Sequence, residues 1–133
     1  MTSALWPLQR ALYGRLTGHT PLTALVTGVY DEVPEDVTCP YVSLGSITED
    51  VDDAHNQRGL ETVVTLDVWS RYAGWAEASH VLAALDEALD RQPLTVDGFQ
   101  DVSIAHQRHL QLRDPDPDIR HISVTYRVWL TKT

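Results

Sequence analysis

Two stretches of strict alternation constrain this chain more than anything else in it. From Leu60 to Ser70, the residues Thr62, Val64, Leu66 and Val68 share one parity, and Glu61, Val63, Thr65, Asp67 and Trp69 share the other. From Arg120 to Thr131, Ile122, Val124, Tyr126, Val128 and Leu130 alternate with Ser123, Thr125, Arg127 and Trp129. Successive side chains of a strand point to opposite faces, so the pattern predicts two long strands with one apolar face each. Burying the second set of five would stabilise the fold by about 1.5–3 kcal/mol per side chain before entropy is counted. An apolar sheet face needs a covering layer.

Two helices can supply it. Residues 4–17 place Leu5, Leu8, Leu12 and Leu16 on one stripe, with Ser3 as an N-cap and Gly18 as a stop. Residues 74–91 place Ala78, Val81, Leu82, Leu85, Ala88 and Leu89 on a buried stripe, leaving Glu77, Asp86, Glu87 and Asp90 to face water. A short helix follows the first, with Thr20 as cap, Pro21 at its first position, and Leu22, Leu25 and Val26 pointing inward. The rest divides into a short extended piece at Tyr30, a strand from Tyr41 to about Ile47 and a polar, aperiodic stretch from Thr48 to Gly59. Beyond the second main helix come a short strand at Leu94–Val96 turning at Asp97-Gly98, and a strand from Phe99 to Leu112. The 48–59 stretch reads as a long mobile loop. The expected architecture is a single α+β domain over residues 1–133, with two main helices on one face of a four- to five-stranded, mostly antiparallel sheet.

With 133 residues, 43% of them apolar, the chain can bury a core without disulfides or metal. A net charge of −9 opposes general nucleic-acid binding and docking on an anionic membrane. One cysteine, Cys39, allows no internal disulfide. No signal peptide and no membrane-spanning run is apparent.

Catalytic and metal chemistry find no support in the residue pattern. The chain has no Gly-x-Ser-x-Gly elbow and no phosphate-binding glycine loop. Cys39 has no basic neighbour in sequence to lower its pKa. His106 and His109 are three apart on a strand, which sends them to opposite faces and argues against a zinc site. The acidic run at Glu49, Asp50, Asp52 and Asp53 lacks the glycine and distal glutamate of a calcium loop. The expectation is a non-enzyme without cofactor.

What remains is surface. The face away from the helices carries Trp69, Asp67, Arg127 and Trp129, and aromatics on such a face mark an interface unless loops or the N-terminal segment cover them within the monomer. Between Arg15 and Arg58 there is no Lys or Arg, while Asp31, Glu32, Glu35, Asp36, Glu49, Asp50, Asp52 and Asp53 all fall there. One region is therefore strongly negative, suited to repel DNA or to meet a basic partner.

The linear order of motifs adds a family. Thr20-Pro-Leu-x-x-Leu-Val is followed by Tyr30-Asp-x-Val33-Pro34, Pro40-Tyr41-Val42, a polar loop and Val68-Trp69-Ser70-Arg71. Gly74-x-x-Glu77-Ala78 and Arg113-Asp114-Pro115 complete it. Across nearly the whole chain this resembles the tail-terminator or tail-completion proteins of long-tailed bacteriophages, prophages and gene transfer agents. The resemblance implies a structural virion protein, assembled in the host bacterial cytoplasm. It implies a homo-oligomeric ring, usually a hexamer, at the head-proximal end of the tail tube. The ring would end tube polymerisation and join the tail to the head connector, and DNA would pass its lumen without specific binding. On this basis Trp69, Arg127 and Trp129 are candidates for the subunit interface. Glu49, Asp50, Asp52 and Asp53 are candidates for lining the lumen or docking the tube. Rival roles are another neck component, a small metal- or ligand-binding domain, and a regulatory dimer.

Overall fold

The computed structural model describes residues 3–133. In chain order the elements are α1 (Leu5–Thr17), α2 (Thr20–Thr23), β1 (Val29–Tyr30), β2 (Tyr41–Val51), β3 (Gly59–Ser70), α3 (Ala76–Leu89), β4 (Phe99–Arg113) and β5 (Arg120–Lys132). The two alternating stretches are β3 and β5. They pair antiparallel along their whole length, from Gly59 opposite Thr131 to Ser70 opposite Arg120. The sheet order is β1-β2-β3-β5-β4. Only the two-residue β1 runs parallel to its neighbour; the other pairings are antiparallel.

One face of this sheet is closed. Leu60, Val64, Leu66 and Val68 of β3 and Ile122, Val124, Tyr126, Val128 and Leu130 of β5 are buried against Leu8, Leu12 and Leu16 of α1 and Val81, Leu85 and Leu89 of α3. Both main helices lie over this face, as the apolar parity requires. The guanidinium of Arg15 ties the ends of the helices together, donating to the carbonyls of Ala88, at 3.1 Å, and Pro93. Carbonyls at a helix C-terminus lack internal donors, and an arginine satisfies them while matching the dipole.

Several local expectations are corrected. Residues 48–59 are not a long loop. β2 continues to Val51, which pairs with Leu60, and the turn closes through an Ala54–Gln57 bridge with Asn56 at φ 71°. Apolar periodicity is absent there because the hairpin beyond Glu49 runs past the helices; Val51 is 77% exposed. Residues 94–96 form no strand. Asp97-Gly98 turns the chain with Gly98 at φ 82°, and Val96 instead fills the core. Leu5 and Leu25 are exposed, not inward. Ala4 is the N-cap of α1 in place of Ser3, and His19 precedes α2 in place of Thr20, putting Pro21 in its first turn. Of the four α3 acids expected to face water, only Glu87 is exposed. Glu77 accepts from the buried Ser70 hydroxyl at 2.7 Å, and Asp86 and Asp90 accept from β4.

Candidate functional site

The open face of the sheet carries the odd positions of β3 and β5. Because Trp69 pairs with His121 and Trp129 pairs with Glu61, the two tryptophans do share this face. They do not share a patch. Positions 61 and 69 are eight residues apart on β3, about 26 Å at the usual rise. Thr65, Asp67, Ser123 and Thr125 lie between them.

The Trp69 end is an ordered aromatic row. Tyr41 of β2, Trp69 of β3 and His121 of β5 are direct cross-strand neighbours. Trp69 stacks on His121 with centroids 3.8 Å apart and planes 12° apart, and on Tyr41 at 6.2 Å. Its indole N–H donates to the Ser43 hydroxyl at 3.0 Å, and His121 Nε2 donates to Asp67 at 2.6 Å. Tyr30, on the edge strand, meets Tyr41 edge to face at 5.9 Å, so the row reaches the β1 side of the molecule. Cross-strand aromatic pairs of this kind contribute about 0.5–1.5 kcal/mol each beyond burial. The rings are held in place by contacts within the chain.

The Trp129 end is built on charge. Arg127 lies 5.9 Å from the Trp129 ring centroid, and its Nε approaches Glu61 at 3.2 Å. The Glu61 contact is an ion pair without good hydrogen-bond geometry, since Arg127 Nε has no satisfied bond. Asp50 pairs directly with Glu61 across the ladder. Like charges opposite one another are unfavourable, and Arg127 offsets this.

The four acidic candidates separate in the fold. Glu49 is on the helix-covered side, where its carboxylate accepts from the Ser3 hydroxyl at 2.7 Å and the Ala4 N–H at 2.8 Å. It sits at the positive end of α1 and anchors that helix. Asp50 is exposed on the open face. Asp53 accepts from the Gly59 N–H at 3.1 Å and closes the hairpin. Asp52 is exposed, and its side chain makes no ion pair among the described residues.

A second correction concerns the histidines. A bulge between His106 and Arg108 adds one residue to β4, so His106 and His109 fall on the same face. His109 Nδ1 and His106 Nε2 are 3.0 Å apart; His106 Nδ1 reaches Asp86 at 2.7 Å, and the Tyr126 hydroxyl donates to the same carboxylate oxygen at 2.9 Å. Burial, then the Asp86 charge, pushes the Tyr126 phenol well above its usual range. The network ties α3 to β4 and β5. No group of three His, Cys, Asp or Glu side chains among the described residues is placed to hold a metal ion. Cys39 does gain a basic neighbour in the fold, Arg71. Burial nevertheless outweighs it and raises the thiol pKa, which opposes nucleophilic use.

Two features escaped sequence reasoning. Trp6 and Tyr13 stand on the outer side of α1, 63% and 47% exposed. With Tyr30, Asp31 and Glu32 they line a groove of about 480 Å³ between α1 and β1. Their seven-residue spacing, opposite the leucine stripe, was the available signal. The second feature is β4 itself. It is the outermost strand on the far side, and residues 107–111 are exposed.

Among solved structures, a chain described as "Virion of native gene transfer agent (GTA) particle" superposes with a TM-score of 0.90 at 28% identity, covering 98% of this chain and 99% of that one. No curated protein matches by sequence. The family model for tail completion protein gp17 matches residues 10–131, nearly the whole chain, and the chain therefore belongs to the tail completion protein gp17 family.

Proposed function

We propose that this chain, a tail completion protein and so a structural part of a tailed phage-like particle, forms a ring at the head-proximal end of the tail tube. The ring ends tube polymerisation and offers a face to the head connector. DNA crosses its lumen without being gripped. The observation that supports this best is the open sheet face, with an aromatic row at one end and Trp129 with Arg127 at the other. A closed ring needs heterologous contacts, in which one surface of a copy meets a different surface of the next. The Tyr41–Trp69–His121 row leads through Tyr30 to the β1 side, and Trp129 with Arg127 sits on the strand beside β4. Separation of the two tryptophans suits such a contact better than one shared patch would.

The hairpin tip carrying Asp50, Asp52 and Asp53 is the segment proposed to face the lumen or the tube. It projects past the helices and is acidic, which discourages DNA from sticking. Glu49 is excluded from this role because it holds α1.

Trp69→Ala and Trp129→Ala are each expected to leave a folded chain that no longer assembles. Negative-stain images of purified protein, with and without tail tubes, check this; normal rings from both variants would remove the open face from the subunit contact.

A further inference from the structure

Within the ring reading, on which this inference rests, the remaining question is which surfaces of adjacent copies meet. The two edges of the sheet differ in a way that answers it. From Val102 to Arg113, β4 contains no acidic residue in a chain of net charge −9. Its outer half presents Arg108 and Leu110 on the open face, opposite Thr125 and Ser123, and Arg113 on the other face, opposite Arg120; all three are exposed, with Leu110 37% accessible. Neither arginine makes an ion pair among the described residues. The backbone on the outer side of this 15-residue strand has no partner strand. Its first half is capped, since the Arg91 N–H donates to the Ile104 carbonyl and the His106 N–H to Asp90, but the half from Gln107 onward has no such cover, and an open edge strand invites another chain.

The opposite edge is its complement. The groove between α1 and β1 has aromatic walls from Trp6, Tyr13 and Tyr30, and Asp31 and Glu32 stand at its rim. Asp31 and Glu32 are exposed and make no ion pair among the described residues. Arg10 is the one cation in its lining.

We propose that the groove between α1 and β1 receives the outer half of β4 from a second copy of this chain edge-on, with Leu110 seated among the aromatic side chains and Arg108 and Arg113, one on each face of the inserted strand, meeting Asp31 and Glu32 at the rim. The two surfaces lie at opposite edges of one sheet, so repeating the contact is head-to-tail and can close. Charge sets the register and suppresses the wrong pairings, since the β1 edge of one copy against the β1 edge of another is acid against acid. The apolar seat supplies the desolvated centre that a stable contact needs.

A charge-swap experiment tests this. All four substituted side chains are exposed, so circular dichroism melts of the variants should match the wild-type chain. R108E/R113E makes both edges acidic, and D31R/E32R makes both basic. Each variant alone is expected to raise the concentration for half assembly by about tenfold or more, read by native mass spectrometry and electron microscopy with and without tail tubes. An equimolar mixture should restore rings in which the two variants alternate. Leu110→Ala, which keeps every charge, should weaken assembly as well. Rings from either charge variant at the wild-type concentration would overturn the contact and leave the ring intact, as would a mixture that fails to recover. If a charge-reversed chain melts early, R108Q/R113Q and D31N/E32Q replace it and are expected to weaken assembly in the same direction. A wild-type chain that gives no ring under either condition overturns the ring itself and this contact with it.

Discussion

The two faces of the sheet are made by the same strands and by neighbouring residues, yet they serve opposite ends. On the helix-covered face, Val64, Leu66, Val68, Ile122, Val124 and Tyr126 are almost inaccessible. On the open face, Glu61, Val63, Thr65, Asp67, Arg127 and Trp129 stay partly exposed. The covered face has satisfied itself: its apolar area is closed by α1 and α3, and its few polar groups are hydrogen-bonded, as with the Thr62 hydroxyl donating to the Val128 carbonyl at 3.1 Å. The open face holds ordered rings and charges that nothing in the chain covers fully. Stability therefore resides on one side of a strand, and the surface proposed for assembly lies on the other, one residue apart.

Substitutions can test this division. The largest effect is expected in the core. Leu66→Ala should cost about 2–5 kcal/mol in urea unfolding, because it leaves a cavity between sheet and helices. Its neighbour Thr65→Ala, on the open face, should change stability by about 0.5 kcal/mol or less. Comparable losses at the two positions would abolish the distinction. A smaller effect separates Glu49 from its acidic neighbours. Glu49→Ala removes two hydrogen bonds at the N-terminus of α1 and should cost about 1–2 kcal/mol, whereas Asp52→Ala should be near neutral. Equal thermal melts for the pair would mean that α1 does not depend on this anchor.

The smallest effect concerns Tyr126. Its hydroxyl donates to Asp86 inside the covered layer, so Tyr126→Phe should cost about 0.5–1.5 kcal/mol near neutral pH. The phenol pKa is raised above its ordinary value of 10.0, by burial first and by Asp86 second. A group with a raised folded pKa keeps its stabilising contribution below the unfolded value and loses it as pH climbs beyond that value. Wild-type stability should therefore fall more steeply than that of Tyr126→Phe above about pH 10. Parallel alkaline unfolding curves for the two proteins would contradict the burial of this hydroxyl.

Much of the fold was legible because its signals are local and periodic. The parity of β3 and β5 can be read from hydropathy alone, and so can the leucine stripe at Leu8, Leu12 and Leu16. The 48–59 hairpin was misread for the converse reason. Glu49 meets α1 through polar bonds and the hairpin beyond it extends past the covering helices, so no position there needs an apolar residue and there is no period to detect. The histidine pair was misread because one inserted residue, at the bulge before Arg108, reverses the parity that strand spacing assumes.

The candidate site was legible in kind but not in layout. Alternation placed Trp69 and Trp129 on a common face, and composition placed the acidity between Arg15 and Arg58. Neither could show that the tryptophans stand at opposite ends of the β3–β5 pair. Nor could they show that Glu49 turns inward to α1, or that Trp6 and Tyr13 wall a groove beside β1. Side-chain parity and charge are properties of position in the chain, so the sequence by itself determined the strands, their apolar face, the family and the acidic character. Which residues become neighbours depends on register, on bulges and on where the helices stop, and these are settled by long-range packing. Only the tertiary structure decided that the chain has one acidic, aromatic-walled edge and one arginine-bearing edge, on opposite sides of a single sheet.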